Sequence, residues 1–356
     1  MDTDWIRQDP WPRAGEWVAN RYRVEGLLGE GGSAVVLAAT HEELARPVAL
    51  KLLRLEHAEH AVRGCLWREG RALTAMRGNG APRVFDAGSL GDGTPYLVLE
   101  WLAGLDLGRL LLEHGPFPWA RAARYVLEAC AGVAEAHRLG IWHRDLKPSN
   151  MFLCAGPGGA ASVKILDFGL ARLADDEDQI SEVGMVMGTP WYMPPEQFRE
   201  LAKADGRSDV WSLGVTLFEL LTGKLPFAGS SLAMTAQAVL TSPPERLSTA
   251  GLVVPAGLDD LVRRCLSKEP DARPQSASEL LSALRPYACT RPLLGAEAVL
   301  SEALPGSVLV ERSSGDTTYG GMLPVVLPTR HDRLAAICPN SERSQPSSAA
   351  QIIEAA

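Results

Sequence analysis

Three stretches, met in order along the chain, carry residue types suited to phosphate and metal chemistry. The first, Leu28-Gly29-Glu30-Gly31-Gly32-Ser33-Ala34-Val35-Val36, is a glycine-rich turn between two strand candidates. Glycines let backbone N–H groups approach phosphate oxygens with no side chain between. Fifteen residues after Val36, the run Val48-Ala49-Leu50-Lys51 ends an apolar strand candidate in a lysine. An ammonium among apolar neighbours needs a partner, and Glu69 on the helix candidate that follows is the obvious one, leaving Lys51 free to touch phosphates on its other side. The third stretch is His143-Arg144-Asp145-Leu146-Lys147-Pro148-Ser149-Asn150, followed by Asp167-Phe168-Gly169. Asp145, Asn150 and Asp167 supply hard oxygens of the kind that suit Mg²⁺, and Lys147 places a positive charge beside them. Taken singly, the turn reads as a hairpin, Glu69 as a solvated helix acid and the carboxylates as a surface cluster. Their order is what makes them specific.

These residues need elements to hold them. From Arg21 to about Leu102, short apolar runs (Tyr22 to Val24, Ala34 to Ala39, Pro47 to Leu53, Val84 to Gly88, Tyr96 to Leu99) are bounded by Gly and Pro and read as strands. One helix interrupts them, from about Ala58 to Met76, although Gly64 and Gly70 weaken it. From Leu105 to Pro286 the pattern turns mainly helical, with three-to-four-residue periodicity over Ala120 to Leu139, Asp209 to Thr222 and Leu258 to Cys265. Residues 1–20 form a leader carrying Trp5, Trp11 and Trp17, either flexible or strapped onto the domain. The stretch 287–356 holds no Lys and many Ser, Thr and Pro, and reads as a disordered tail.

Composition limits what such a chain can be. Its 356 residues are enough for about two domains. A hydrophobic content of 46% with 22% charged residues excludes a wholly disordered or fibrous protein. The net charge of -8 argues against a nucleic-acid platform, which needs basic patches, while permitting a local nucleotide site. The six cysteines form no C-x-x-C pair and read as buried thiols in a reducing compartment. With neither a signal peptide nor an apolar run approaching the roughly 18 residues of a membrane span, the expected location is cytoplasmic.

Together the motifs resemble the eukaryotic-like (Hanks-type) serine/threonine protein kinases of bacteria, whose signature runs glycine-rich loop, strand lysine, H-R-D-L-x-x-x-N, D-F-G and A-P-E. The resemblance spans about Arg21 to Arg285. It implies an α+β, bilobal protein kinase fold: a small antiparallel-sheet N-lobe with one helix over 21–102, and a larger, mainly helical C-lobe over 103–286. It also implies ATP and Mg²⁺ as cofactors, with Mn²⁺ as the alternative ion, protein substrates as partners, and homodimerisation for autophosphorylation.

Residue by residue, the family places Leu28, Gly29, Gly31, Gly32, Ser33 and Val36 over ATP, with Ala49 and Leu102 at the adenine. Leu99 becomes the gatekeeper, Glu100 to Leu102 the hinge, and Asp106 a ribose contact. Lys51, paired with Glu69, holds the α- and β-phosphates; Asn150 and Asp167 hold the metal; Asp145 accepts or orients the substrate hydroxyl proton, with Lys147 beside it favouring Ser/Thr specificity. Gly188-Thr189-Pro190-Trp191-Tyr192-Met193-Pro194-Pro195-Glu196 resembles the end of an activation segment. Thr189 then lies near Asp145 and Lys147, Glu196 pairs with Arg273, and Asp209 braces the catalytic loop. Arg144 implies control by phosphorylation, with Ser181 as the expected site. Two positions depart from the pattern. Ala34 replaces the third glycine of the loop, which implies a modest loss of ATP affinity if that position needs an unusual φ, and Pro194 replaces the alanine of A-P-E. A pseudokinase scaffold is the rival from another class, disfavoured because Lys51, Asp145 and Asp167 are all present. The platform over 188–196 counts against a small-molecule phosphotransferase.

Overall fold

The computed structural model describes residues 11–31, 34–53, 60–155, 161–168, 172–173, 189–199, 204–227 and 229–289. Its first part is a sheet with one helix: β1 Trp17–Val18, β2 Tyr22–Glu30, β3 Ala34–His41, β4 Arg46–Leu53, α1 His60–Ala75, β5 Val84–Ser89 and β6 Pro95–Glu100. All pairings are antiparallel, in the order β1-β2-β3-β4-β6-β5. The two-residue period of a strand decides what each face holds. Val48, Leu50 and Leu52 of β4 join Val24, Val35, Leu37 and Val98 in a buried cluster on one face. Ala49, Lys51 and Leu53 therefore point to the other face, where Leu53 and Leu97 pack against Leu66 of α1. Gly70, which weakens the helix by propensity, serves the packing: a Cβ there would lie 3.0 Å from Leu97 Cδ2.

Part of the leader belongs to this sheet. Gly15 N–H donates to the Val24 carbonyl at 2.8 Å, β1 pairs with β2, and Trp11 packs against the same cluster as Val24 and Leu50. The boundary drawn at residue 20 thus falls inside the small lobe's packing. Residues 1–10 and the tail beyond 289 lie outside the described residues.

The larger part contains β7 Gly104–Asp106, α2 Leu107–His114, α3 Trp119–Arg138, β8 Ile141–Trp142, β9 Met151–Ala155, β10 Ala161–Ile165, β11 Arg172–Leu173, α4 Pro195–Arg199, α5 Gly206–Thr222, α6 Leu232–Thr241, α7 Ala256–Cys265 and α8 Ala277–Leu284. The helices follow the apolar periodicity. Two small sheets, β10-β9-β7 and β11-β8, interrupt the helical region expected from the sequence. Strands of two to five residues such as Met151-Phe152-Leu153-Cys154-Ala155 are too short and too uniformly apolar for periodicity to distinguish from helix. Helix α5 forms the axis of this lobe. Every residue from Ser208 to Leu221 is buried, Asp205 caps its start by accepting from Arg207 N, and Gly223 ends it in the left-handed conformation at φ 69°.

The two parts are joined beyond the strand-to-strand connection after Glu100. Glu135 of α3 accepts hydrogen bonds from Arg77 N at 2.7 Å and Gly78 N at 2.8 Å. A Cβ on Gly80 would collide with Gly132 Cα, so backbone meets backbone where this loop crosses α3. The resulting molecule is α+β with a curled antiparallel sheet above a helical base. Cys130, Cys154 and Cys265 are buried free thiols. Among the described residues no helix is long and apolar enough to cross a membrane.

Candidate active site

Lys51 stands on the α1-facing side of β4. Its Nζ lies 2.7 Å from both carboxylate oxygens of Glu69 and 2.9 Å from Oδ1 of Asp167. Lys51 and Glu69 are buried, at 8% and 2% exposure. Burial alone would depress the ammonium, but the Asp167 and Glu69 carboxylates outweigh it and hold Lys51 above its ordinary pKa. Lys51 in turn holds the Asp167 carboxyl below the usual range. Asp167 has a positive φ of 60°, which turns its half-exposed carboxylate toward the cleft.

The catalytic-loop candidate runs from β8 to a 3-10 turn at Pro148–Asn150. Its backbone is held by Asp209 of α5, which is fully buried: Oδ2 accepts from His143 N at 2.9 Å and Oδ1 from Arg144 N at 2.8 Å. Arg144 sits at φ 66°, a strained conformation for a side chain with a Cβ, and this aspartate helps hold it there. Burial would raise the Asp209 carboxyl, but its bonds from His137 and the loop amides keep it below the usual range. His143 ties the loop to the segment before Asp167: its Nε2 lies 2.8 Å from the Leu166 carbonyl and its Nδ1 3.3 Å from Asp145 N. A carbonyl at one nitrogen and an N–H at the other fix the tautomer with the proton on Nε2.

Asp145 has both carboxylate oxygens oriented. Oδ1 accepts from Thr189 N at 3.0 Å, and Oδ2 accepts from Lys147 Nζ at 2.7 Å. Lys147 also donates to Thr189 Oγ1 at 2.6 Å, so the expected meeting of Asp145, Lys147 and Thr189 is present. Asn150 spends its side-chain N–H₂ on the Asp145 carbonyl at 2.8 Å, which leaves its amide oxygen for other use. That oxygen and the Asp167 carboxylate are the hard donors a Mg²⁺ ion prefers, so the residues fit the metal.

The small-lobe nucleotide residues read from the sequence fall across four neighbouring strands of the sheet. Gly29 pairs with Val36, Val36 with Lys51, and Ala49 with Leu99, so the glycine turn, the lysine and the gatekeeper candidate lie on adjacent strands. Gly31 N donates to the Ala34 carbonyl at 2.8 Å across the turn. Ala34 begins β3 opposite Leu53 and is not among the residues with positive φ, so the reason for expecting its methyl to weaken ATP binding is removed. Leu28 lies in β2, and Leu102 follows β6. Asp106 is engaged as the N-cap of α2, accepting from Arg109 N at 2.8 Å through Oδ1, and burial raises its carboxyl. The ribose role implied for it would have to use its other oxygen. Gly32, Ser33, Gly169, Ser181 and Gly188 lie outside the described residues.

Below the site, Glu196 and Arg273 form the expected pair, bidentate at 2.7 and 2.8 Å, with Arg273 only 2% exposed. Two polar pairs escaped the sequence reading. Lys164 of β10 bonds Glu100 at 2.6 Å, and the Tyr192 hydroxyl donates to Glu219 of α5 at 2.6 Å. For Lys164 a signal existed: like Lys51 it is a lysine inside an apolar strand, Val163-Lys164-Ile165, close before a motif.

A profile of the protein kinase domain matches residues 22–284. Serine/threonine-protein kinase pkn3 of Myxococcus xanthus is 37% identical over 279 residues, covering 76% of this chain and 50% of the relative. Serine/threonine-protein kinase PknB of Mycobacterium leprae is 34% identical over 267 residues, covering 74% of this chain and 42% of the relative. The chain thus spans half or less of the length of these curated relatives.

Proposed function

The chain belongs to the protein kinase domain family, and on that premise we propose that it transfers the γ-phosphoryl group of ATP to serine and threonine hydroxyls of protein substrates. The observation that carries this reading is the presence of two bonded sets, one in which Lys51 reaches both Glu69 and Asp167 and one in which Asp145 is oriented by Lys147 and Thr189 N–H. Lys51 holds the α- and β-phosphates. The Asn150 and Asp167 oxygens hold Mg²⁺, which when bound offsets the charge of the phosphate oxygens. Asp145 receives or orients the proton of the attacking hydroxyl, and Lys147 stabilises charge on the transferring group. Little covalent work falls to the protein, because the transition state is loose and rewards positioning and charge neutralisation.

The scaffold alternative, binding without transfer, is disfavoured because the three charges that such proteins lose, Lys51, Asp145 and Asp167, are all present, with Lys51 in contact with Asp167. We place the activity in the cytoplasm, which the free buried cysteines support. Autophosphorylation within the segment containing Ser181, in a transient homodimer, is the accompanying proposal. Incubation with radiolabelled ATP and a generic acceptor protein tests the reading. Transfer is expected from the wild type and expected to fall by about 10³ in Asp145→Asn and Lys51→Met. Transfer that persisted in Asp145→Asn would overturn the assignment, and phosphopeptide mapping that left Ser181 unmodified at full activity would overturn the autophosphorylation site.

A further inference from the structure

We propose that Lys164 and Glu100 are a positioning pair for nucleotide binding, a buried ammonium on a partly exposed carboxylate that fixes the adenine-facing side of the cleft relative to the strand leading to Asp167. The proposal rests on the kinase reading above. Lys164 is 3% exposed, so its charge does nothing for solubility. Its Nζ meets Glu100 Oε2 at 2.6 Å and the Ala81 carbonyl at 3.5 Å. A buried ammonium is costly unless paired, and an apolar side chain could occupy such a strand position without that cost. What the ion pair adds is direction.

Three segments converge on it. Glu100 ends β6, and the same Oε2 accepts from Arg83 N at 3.1 Å while Glu100 N donates to the Arg83 carbonyl at 2.8 Å. Ile165, next to Lys164, donates to the Gly80 carbonyl at 2.8 Å. The end of β6, the loop through residues 80–83 and strand β10 are thereby bound to one another. From Glu100 the chain continues directly into the hinge candidate ending at Leu102. From Lys164 it reaches Leu166, whose N–H bonds the Asn150 carbonyl at 2.8 Å, and then Asp167. The adenine edge and the metal-holding end of the nucleotide site are therefore spaced by a short cross-braced path through this pair. Glu100 enters the sequence reading only through its backbone, whereas its carboxylate has this separate task.

The test measures dissociation constants for MgADP by calorimetry on the full chain, with thermal unfolding in parallel. Lys164→Met and Glu100→Gln are expected to weaken MgADP by about tenfold, since small displacements of a binding edge carry penalties of that order or larger. In turnover they raise KM for ATP and leave kcat at saturating ATP within about threefold. Lys164→Arg, which keeps the charge, retains most of the affinity. The doubly apolar variant Lys164→Met/Glu100→Leu leaves no buried charge unpaired, so its melting midpoint returns toward the wild type while MgADP binding stays weakened. That variant also carries the test if the single ones fail to fold. Folded single variants with wild-type affinity, or a double variant that recovers affinity along with stability, would overturn the pair's role while the wild type still bound MgADP. A wild type that bound no MgADP would instead sink the kinase reading itself.

Discussion

In the large lobe Asp145 inherits its place from a helix buried along nearly its whole length, whereas in the small lobe Lys51 depends on a helix laid against one face of a sheet. Asp145 follows two residues whose amides are fixed by Asp209, and Asp209 belongs to a helix buried along nearly its whole length. Glu69, the partner of Lys51, is carried by α1. That helix has no acid in its first turn and no base in its last; it rests on the sheet through Leu66 and Trp67 against Leu53, Leu97 and Leu99, and its last turns join the main core through Ala72 and Leu73. The difference teaches where control can act. Moving Asp145 would mean dismantling α5 and its packing. Disconnecting the phosphate lysine requires only that α1 shift by a hydrogen bond's length, because the 2.7 Å contacts are directional.

Four substitutions would sharpen that contrast or break it. The largest effect on stability is expected from Arg273→Met, which leaves the mostly buried Glu196 carboxylate without its cation and with only the Ser208 hydroxyl as donor, and should cost about 3–5 kcal/mol in urea unfolding. The folded fraction should keep its MgADP affinity, and a matching loss of affinity would show that this scaffold reaches the nucleotide site. Next comes Glu219, whose carboxyl burial pushes up to about 7 from 4.5. The folded state then holds a proton that the unfolded chain has released, so stability is greatest at the acid end and declines as pH rises from 4.5 to 7. Glu219→Gln removes that slope and should gain on the order of 3 kcal/mol on the wild type across this window, read from unfolding at both ends. Third is Glu69→Gln, expected to lower transfer about a hundredfold, or about 2.7 kcal/mol, with little change in melting midpoint. If it instead melted like Arg273→Met, α1 would be as much scaffold as α5. The smallest is Asp106→Ala, which loses an N-cap and should cost about 1 kcal/mol. A fall in MgADP affinity well beyond that would reveal a ribose contact in addition to the cap.

How legible these features were depended on how far their partners lie along the chain. The glycine turn, Lys51 and the stretch from His143 to Asn150 each announce themselves within a few residues, since phosphate and metal chemistry needs particular types at close spacing. Pairings such as Lys51 with Glu69 and Glu196 with Arg273 were readable only because the motif order supplied a family. Lys164 with Glu100, 64 residues apart, and Glu135 with the backbone N–H of Arg77, 58 apart, had no such guide: the apolar strand around Lys164 signals that it needs a partner but not which one, and Glu135 alone looks like an ordinary surface charge. The small strands β7 to β11 were invisible for a different reason. Their length is below one helical turn or two, too short for a period to show. The packing of residues 11–18 could not be chosen over a loose leader, because a few tryptophans among acids and prolines satisfy either description.

The docking of residues 77–80 on α3, through Glu135 and the Gly80–Gly132 contact, has a mechanical meaning. A body joined to another at one flexible point can tilt in every direction. Joined at two, it can turn only about the line between them. With the strand connection after Glu100, braced by Lys164, as one pin and this loop, whose Gly80 carbonyl also accepts from Ile165 N, as the other, rotation about the line between them is the motion that disturbs these ties least. One rotation of this kind would separate or gather Lys51, the glycine turn and the oxygens of Asn150 and Asp167 in step, so the groups that the proposed reading assigns to the nucleotide would arrive together.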